Sequence, residues 1–169
     1  MESNYPYTGV QGACNATAEH TAVKVKTWNY VTLYESAQIK AALATGPVGI
    51  PLNSSSYYVQ HYTGGVFNPT TTQCPNSWND IDHTTLLVGY GTDATDGEYF
   101  IMKNSWGTSW GDEGYMLIAA QDNSAGACGM YLSPVIPTVV TESDNGAMDL
   151  LLQKMTFTVA AAFALVYSF

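Results

Sequence analysis

Hydrophobic residues early in the chain recur at helical spacing. Residues 35–46, ESAQIKAALATG, place Ile39, Ala42 and Leu43 on one side of a helix. Gly46 is expected to close this helix in a left-handed conformation, and the proline that follows forbids its continuation. The pattern therefore predicts a short amphipathic helix.

Five apolar runs follow the predicted helix. They are rich in β-branched and aromatic residues and are bounded by Gly, Asn, Asp and Pro, which is typical of strands. Several strands at this spacing indicate an antiparallel sheet or barrel. The five runs are VGIPLN, TTLLVGYG, EYFIMKN, GYMLIAA and MYLSPVI.

The composition changes after Pro137. Residues 138–149 form a polar stretch that predicts a linker, and residues 150–169 are apolar to the end. The apolar end after Lys154 is shorter than the ~20 residues of a membrane span. It fits a GPI-attachment signal, with small residues around 143–147, and a membrane-anchoring helix over the same tail is the alternative.

Length and charge narrow the function classes. A chain of 169 residues suits one domain, or one domain and a further segment. Only five Lys and Arg residues stand against 14 Asp and Glu, giving a net charge of -9. Such a chain repels phosphate backbones, so nucleic acid is excluded as an expected partner.

Cysteines and sequons bear on the compartment. Three cysteines leave one unpaired, which suggests a missing partner, and no C-x-x-C motif supports zinc. No metal or cofactor is therefore predicted. The sequons at Asn15 and Asn53 favour a secretory route. Residues 1–14 contain no signal peptide, so the protein is either cytosolic or lacks its beginning.

One histidine stands apart from the other two by its position. His20 and His61 have no features beyond those of ordinary surface or core residues, whereas His83 begins the strand-like run HTTLLVGYG. Asn104 ends the next predicted strand. Adjacent antiparallel strands would bring these two side chains within hydrogen-bond reach.

An asparagine beside a histidine has a definite chemical use. Its carbonyl oxygen accepts one imidazole N–H, which fixes the tautomer while the other ring nitrogen faces a nucleophile. A ring such as Trp106 over this bond would exclude water. The alternative is a Trp- and Gly-rich turn that only packs a core. That alternative explains the tryptophans but not the placement of His83 and Asn104.

These blocks resemble a known family. DHTTLLVGYG followed by YFIMKNSWGTSWGDEGY is similar to the His and Asn blocks of the papain-like cysteine proteases, with the KNSWG wording of the cathepsin L-like group. NYPYTG-x-x-x-x-C, GPVG, YTGGVF and ACGMY agree in order. The resemblance runs from about Tyr5 to Pro137. It implies an α+β papain-like fold, mainly its β-barrel half, with a helical-half remnant over 1–30 and the barrel domain over 31–137.

The resemblance also implies roles for single residues. His83 would be the catalytic base, Asn104 would orient it and Trp106 would shield both. Three further residues would line the substrate groove, with the last at the floor of its main pocket: Pro51, Asp82 and Ser133. Cys74 and Cys128 match the disulfide of the barrel half, and Cys14 matches a cysteine whose partner lies in an absent part.

The sequence also departs from the family pattern. The C-G-S-C-W segment that carries the nucleophilic cysteine is missing, as is the oxyanion-hole glutamine. The sequence thus resembles the C-terminal part of an endopeptidase. The alternative is a non-catalytic, surface-anchored binding module that has lost the nucleophile.

The endopeptidase interpretation carries expectations about partners and location. It implies polypeptide substrates, a propeptide or protein inhibitor as partner, and a monomer. The expected location is a lysosome-like compartment or the cell exterior, with membrane contact through the tail.

Overall fold

The computed structural model describes residues 5–14, 23–121 and 125–139. The chain divides into two compact units, one of residues 28–137 and the other of residues 1–27 together with 138–169. In the second unit the described residues are an irregular segment over 5–14 and short end parts of two strands. The predicted functional division at residues 30 and 137 stays a prediction.

Seven strands form one sheet in the order β1-β7-β2-β4-β5-β6-β3. Two α-helices and two 3₁₀ turns, the latter at Trp78–Asp80 and Ala127–Gly129, accompany it. The elements in chain order are β1 (Val25–Tyr30), α1 (Ser36–Leu43), β2 (Val48–Leu52), α2 (Tyr57–Gln60), β3 (Val66–Phe67), β4 (His83–Asp93), β5 (Gly97–Lys103), β6 (Tyr115–Ala119) and β7 (Val135–Val139).

The centre of the sheet is antiparallel, as the apolar runs predicted. β2 pairs with β4, β4 with β5 and β5 with β6 in that sense, whereas the two-residue β3 runs parallel to β6. Side chains alternate between the two faces of a strand. On β4 the inward Leu87 is fully buried, while Leu86 and Val88 are exposed. The sheet therefore has one face in the core.

The predicted helix forms, but Gly46 does not close it. Ile39 is fully buried and packs into the core with Ala42 and Leu43. The last turn ends with Ala44 in a right-handed conformation, and the Thr45 hydroxyl donates to the Ala42 carbonyl at 2.8 Å. Gly46 has no positive φ. The left-handed cap is thus a wrong prediction, because a side-chain hydroxyl satisfies the free carbonyl.

Strand boundaries near the end of the described chain also differ from the prediction. Residues 130–134 form a buried turn after the second 3₁₀ turn, and β7 begins only at Val135. Gly129, at φ +84, reverses the chain directly before this turn. β7 extends two residues into the predicted linker.

Two strands have no hydrophobic signal. Every residue of β1 is exposed, so that strand lacks alternation, and β3 is too short to show any.

The rest of the linker, residues 140–149, and the apolar tail at 150–169 lie outside the described residues. Within the ranges described, no helix combines the length and apolar character that crossing a bilayer requires.

Candidate active site

His83 is the first residue of β4 and is held from one side by β2. It pairs with Leu52 across the β2–β4 ladder. The inward positions of both strands belong to the buried core, including Leu52 and Leu87. The half-buried imidazole therefore projects from a rigid sheet rather than from a loop.

Asn104 follows the last residue of β5, in the adjacent strand. Its backbone N–H donates to the Gly114 carbonyl at 3.0 Å, which ties the start of the loop after β5 to its end. The Asn104 Oδ1 accepts the Ser105 backbone N–H at 2.8 Å. Because a backbone N–H can only donate, this contact identifies the oxygen of the amide and fixes its direction.

The structure brings His83 and Asn104 together. Their Nε2 and Oδ1 atoms are 3.0 Å apart. Since the amide oxygen can only accept, Nε2 must carry the proton, and the neutral ring is the Nε2–H tautomer. Nδ1 takes part in no hydrogen bond within the described residues. It is the nitrogen available to a reacting group.

Trp106 lies against the His83 ring. The two rings are stacked, with centroids 5.3 Å apart and planes 23° apart. Trp106 is itself held edge-on by Trp110 at 5.3 Å, and the Trp110 Nε1–H donates to the Val59 carbonyl at 3.1 Å. Trp106 remains 37% exposed, whereas Trp110 is buried. One tryptophan therefore shields the imidazole and the other fixes the shield to the core.

The glycines of this loop have positive φ angles. Gly107, Gly111 and Gly114 lie at φ +84, +62 and +91. At Gly111 a Cβ atom would lie 2.4 Å from the Tyr115 carbonyl oxygen. Such angles and such close backbone approach exclude most side chains. The loop therefore turns tightly enough to return Trp106 over His83.

Two of the three predicted groove residues share a cleft. Pro51 and Ser133 line a depression of about 350 Å³ beside the His83 end of β2 and β4. Thr84 lies opposite Pro51 in the ladder and lines it too, as do Trp28 and Tyr30. Sequence analysis missed these three. Of the three, only Thr84 could have been predicted as a site residue, because the residue that follows His83 must face the opposite side of the strand.

Asp82 does not line this cleft. It borders a different depression, and its carboxylate accepts the backbone N–H groups of Ser54 and Ser55 at 2.7 and 3.1 Å, together with the Ser55 hydroxyl. The role of Asp82 in the substrate groove stays a prediction. Its oxygens hold the loop after β2.

These contacts lower the pKa of Asp82. Desolvation by burial would raise its pKa, but the hydrogen bonds from Ser55 and Ser54 together outweigh that effect and hold the pKa below its ordinary value. The group is thus an ionised loop anchor at neutral pH.

The cysteines have separate places. Cys74 and Cys128 form a disulfide, buried beside the loop that follows β2. The Cys128 carbonyl accepts the Asn53 backbone N–H at 3.0 Å, so the bridge adjoins the end of β2. Cys14 is a free, exposed thiol in the other unit. Unit 28–137 therefore contains no free thiol.

The structure describes only one of the two candidate glycosylation sites. Asn15 lies outside the described residues. Asn53 is only 5% exposed, and its Nδ2 donates to the Pro75 carbonyl at 2.8 Å. A glycan would have to be attached to that same nitrogen, and glycosylation of Asn53 stays a prediction. In the described part, no group of three or more His, Cys, Asp or Glu side chains could hold a metal ion.

The mainly antiparallel sheet thus presents an oriented histidine beside an asparagine, under a tryptophan. Residues 1–138 match the family described as papain family cysteine protease, and the chain belongs to that family.

Its similarity to individual proteins is moderate. It is 34% identical to fruit bromelain from Ananas comosus over 139 residues, covering 82% of this chain and 38% of that protein. It is 34% identical to procathepsin L from Rattus norvegicus over 142 residues, covering 82% and 40%. Among solved structures, the chain is similar to the bromelain protease from Ananas comosus in complex with the E64 inhibitor, with a TM-score of 0.72 and 28% sequence identity. The match covers 81% of this chain and 61% of the bromelain chain.

These figures confirm the predicted family and the α+β papain-like fold. The chain spans about two-fifths of the length of these curated relatives.

Proposed function

We propose that this chain is the base-carrying part of a papain-like cysteine endopeptidase. The observation that carries the proposal is the Nε2-protonated His83, held by Asn104 Oδ1 at 3.0 Å and covered by the stacked Trp106. In this role His83 forms an ion pair with a cysteine thiolate and later protonates the leaving amine.

The two nitrogens of His83 divide these tasks. Nε2 is occupied by the Asn104 oxygen, which leaves Nδ1 to face the thiolate and then the amine. A neutral amide is sufficient as the orienting partner, because the imidazolium already has the thiolate as its counter-ion. The C-G-S-C-W segment that would supply this thiolate does not occur in the 169 residues. We infer that a separate segment provides it.

The cleft supports a polypeptide as substrate. Aliphatic and aromatic side chains of Pro51, Trp28 and Tyr30 surround the hydroxyls of Thr84 and Ser133. An apolar wall with a few polar groups suits an apolar side chain of a peptide. Binding there would place a neighbouring peptide bond near the His83 end of β4.

The proposal extends to the partners, compartment and oligomeric state of the protein. The similarity to procathepsin L supports a propeptide as a partner of the complete protein. The disulfide supports an oxidising compartment, either lysosome-like or extracellular. Membrane contact through the apolar tail and a monomeric state stay predictions.

The second candidate is a non-catalytic binding module. It is favoured by the disulfide in unit 28–137, which removes both of that unit's thiols from chemistry. A binding module has no need of an oriented imidazole, so the two candidates differ in what His83 does.

A chimeric enzyme distinguishes them. The cysteine-bearing segment of fruit bromelain would precede this chain, and kcat/KM on a peptide substrate would be measured for the parent and three variants. His83→Ala should abolish turnover, since it removes both the ion-pair charge and the proton. Asn104→Ala and Trp106→Ala should each lower kcat/KM about 10–100-fold, by analogy with orienting partners of metal-bound imidazoles.

His61→Ala is the matched control. His61 is exposed, stacks on Tyr57 and bonds the Tyr57 carbonyl, so its removal should leave turnover unchanged. Folding of each variant would be checked by circular dichroism. If His83→Ala retains as much activity as Asn104→Ala, the proposed roles are wrong.

A further inference from the structure

Two buried polar groups beside the His83–Asn104 pair have no hydrogen-bond partner within the described residues. They are the Thr85 hydroxyl and the Asn104 amide nitrogen Nδ2. Thr85 is only 5% exposed. Buried polar groups are almost always paired, so two unpaired groups at one place require an explanation.

The sheet register places these two groups side by side. The β4–β5 ladder ends with Leu86 opposite Lys103. The next residue of each segment is Thr85 in β4 and Asn104 directly after β5, so the two are expected to face each other. Residues directly opposite in an antiparallel pair have Cβ atoms about 4.5–5.5 Å apart. His83 precedes Thr85 by two residues and therefore shares its face of the sheet. The three side chains form one row.

The Asn104 amide has used its oxygen but not its nitrogen in hydrogen bonds. Asn104 Oδ1 already accepts from Ser105 N–H and from His83 Nε2. Its Nδ2 carries two N–H donors, and a threonine hydroxyl has lone pairs that can accept them. A water molecule bridging Nδ2 and the Thr85 hydroxyl would hold the amide at both ends. It would resist the rotation that turns Oδ1 away from the imidazole.

We propose that Thr85 is a positioning residue whose hydroxyl is linked to Asn104 Nδ2 through one bridging water molecule, and that this link keeps Oδ1 on His83. Its effect on turnover rests on the proposed function. Its effect on the imidazole does not, because the tautomer of His83 is a property of the chain alone.

The first test uses the 169-residue chain. Ring ¹⁵N chemical shifts report the tautomer of His83, which should be mainly Nε2–H. Thr85→Val removes the hydroxyl at nearly constant volume and should lower the Nε2–H fraction towards that of Asn104→Ala. Thr85→Ser keeps the hydroxyl and should preserve the fraction. Thr92→Val, an exposed site on the same strand, is the matched control and should change nothing.

The second test is a double-mutant cycle on urea unfolding. If the two groups are paired, Thr85→Val and Asn104→Ala should be coupled by about threefold or more in the unfolding equilibrium constant. In the chimeric enzyme, Thr85→Val should lower kcat about three- to tenfold with little change in KM. Thr85→Ser should restore it.

The outcomes separate the two proposals. Unchanged ¹⁵N shifts in Thr85→Val together with an additive cycle would overturn the role of Thr85. An inactive chimera whose Thr85→Val variant still shifts the tautomer would overturn the proposed peptidase and leave the role of Thr85 supported.

Discussion

Asp82 and His83 are neighbours in the chain, and β4 begins between them. The imidazole of His83 meets the Asn104 amide, whereas the carboxylate of Asp82 binds the loop at Ser54 and Ser55. Consecutive residues at the start of a strand face opposite sides, so they do different work. His83 bonds the Asn104 side chain, and Asp82 fixes the loop after β2.

The role of Asp82 predicts a pH-dependent stability. Its pKa is lowered in the folded state relative to an unfolded value of about 3.9. The stabilisation should therefore be present above pH ~4 and be lost as the pH falls through the folded pKa. Asp82→Asn should unfold at lower urea than the parent at pH 7, and the difference should shrink at pH ~2.5.

Asp96→Asn is the matched control, because it also removes one carboxylate charge. Asp96 lies exposed in the turn between β4 and β5, and its replacement should leave the urea midpoint unchanged at both pH values. Equal midpoints for the parent and Asp82→Asn at pH 7 would contradict the loop-anchor role.

At the scale of elements, the loop between β5 and β6 carries the shield over the site. It is closed by the bond from Asn104 N–H to the Gly114 carbonyl and is anchored through the Trp110 indole. Positive φ angles at its glycines allow both contacts in so short a segment. The loop is thus part of the site and not a passive connection.

Two glycines of this loop should respond differently to alanine. Gly107→Ala meets no atom within 4 Å, so only backbone strain of about 1–2 kcal/mol is expected. Gly111→Ala adds a clash at 2.4 Å with the Tyr115 carbonyl and should cost about 2–5 kcal/mol. Urea unfolding of both variants measures the contrast. Equal losses would show that the clash relaxes without cost.

The disulfide joins two further elements. Cys74 and Cys128 are separated by 54 residues, and closing such a loop contributes ~4 kcal/mol in the chain-entropy model. Replacing both cysteines by alanine should lower the free energy of unfolding by up to about this amount. Cys14→Ala should not. Peptide mapping without reductant checks the pairing, and a bridge from Cys14 to either residue would refute it.

Taken as a whole, the described chain has the proposed base His83 and a cleft but no free thiol in unit 28–137. We therefore expect the purified chain to hydrolyse no peptide substrate, because no acyl-enzyme forms without a thiolate. The measurement is release of a fluorogenic group with and without E-64. Cleavage that E-64 blocks and Cys14→Ser abolishes would assign the nucleophile to Cys14.

Local sequence patterns were enough to predict the family, the helix over α1, the four central strands and the juxtaposition of His83 with Asn104. These features depend on short-range order: apolar periodicity sets the strands, and consecutive antiparallel strands bring their adjoining ends together. The role of the glycines at 107, 111 and 114 was readable for the same reason.

The direction of single polar side chains depends on long-range packing and could not be predicted from the sequence. Asp82 turns to the loop after β2, Asn53 is buried against Pro75, and Thr45 rather than Gly46 completes the helix end. β1 and β3 lack any periodic signal and exist because neighbouring strands supply their partners. The choice between competing hydrogen-bond partners depends on residues distant in the chain, and no local pattern records it.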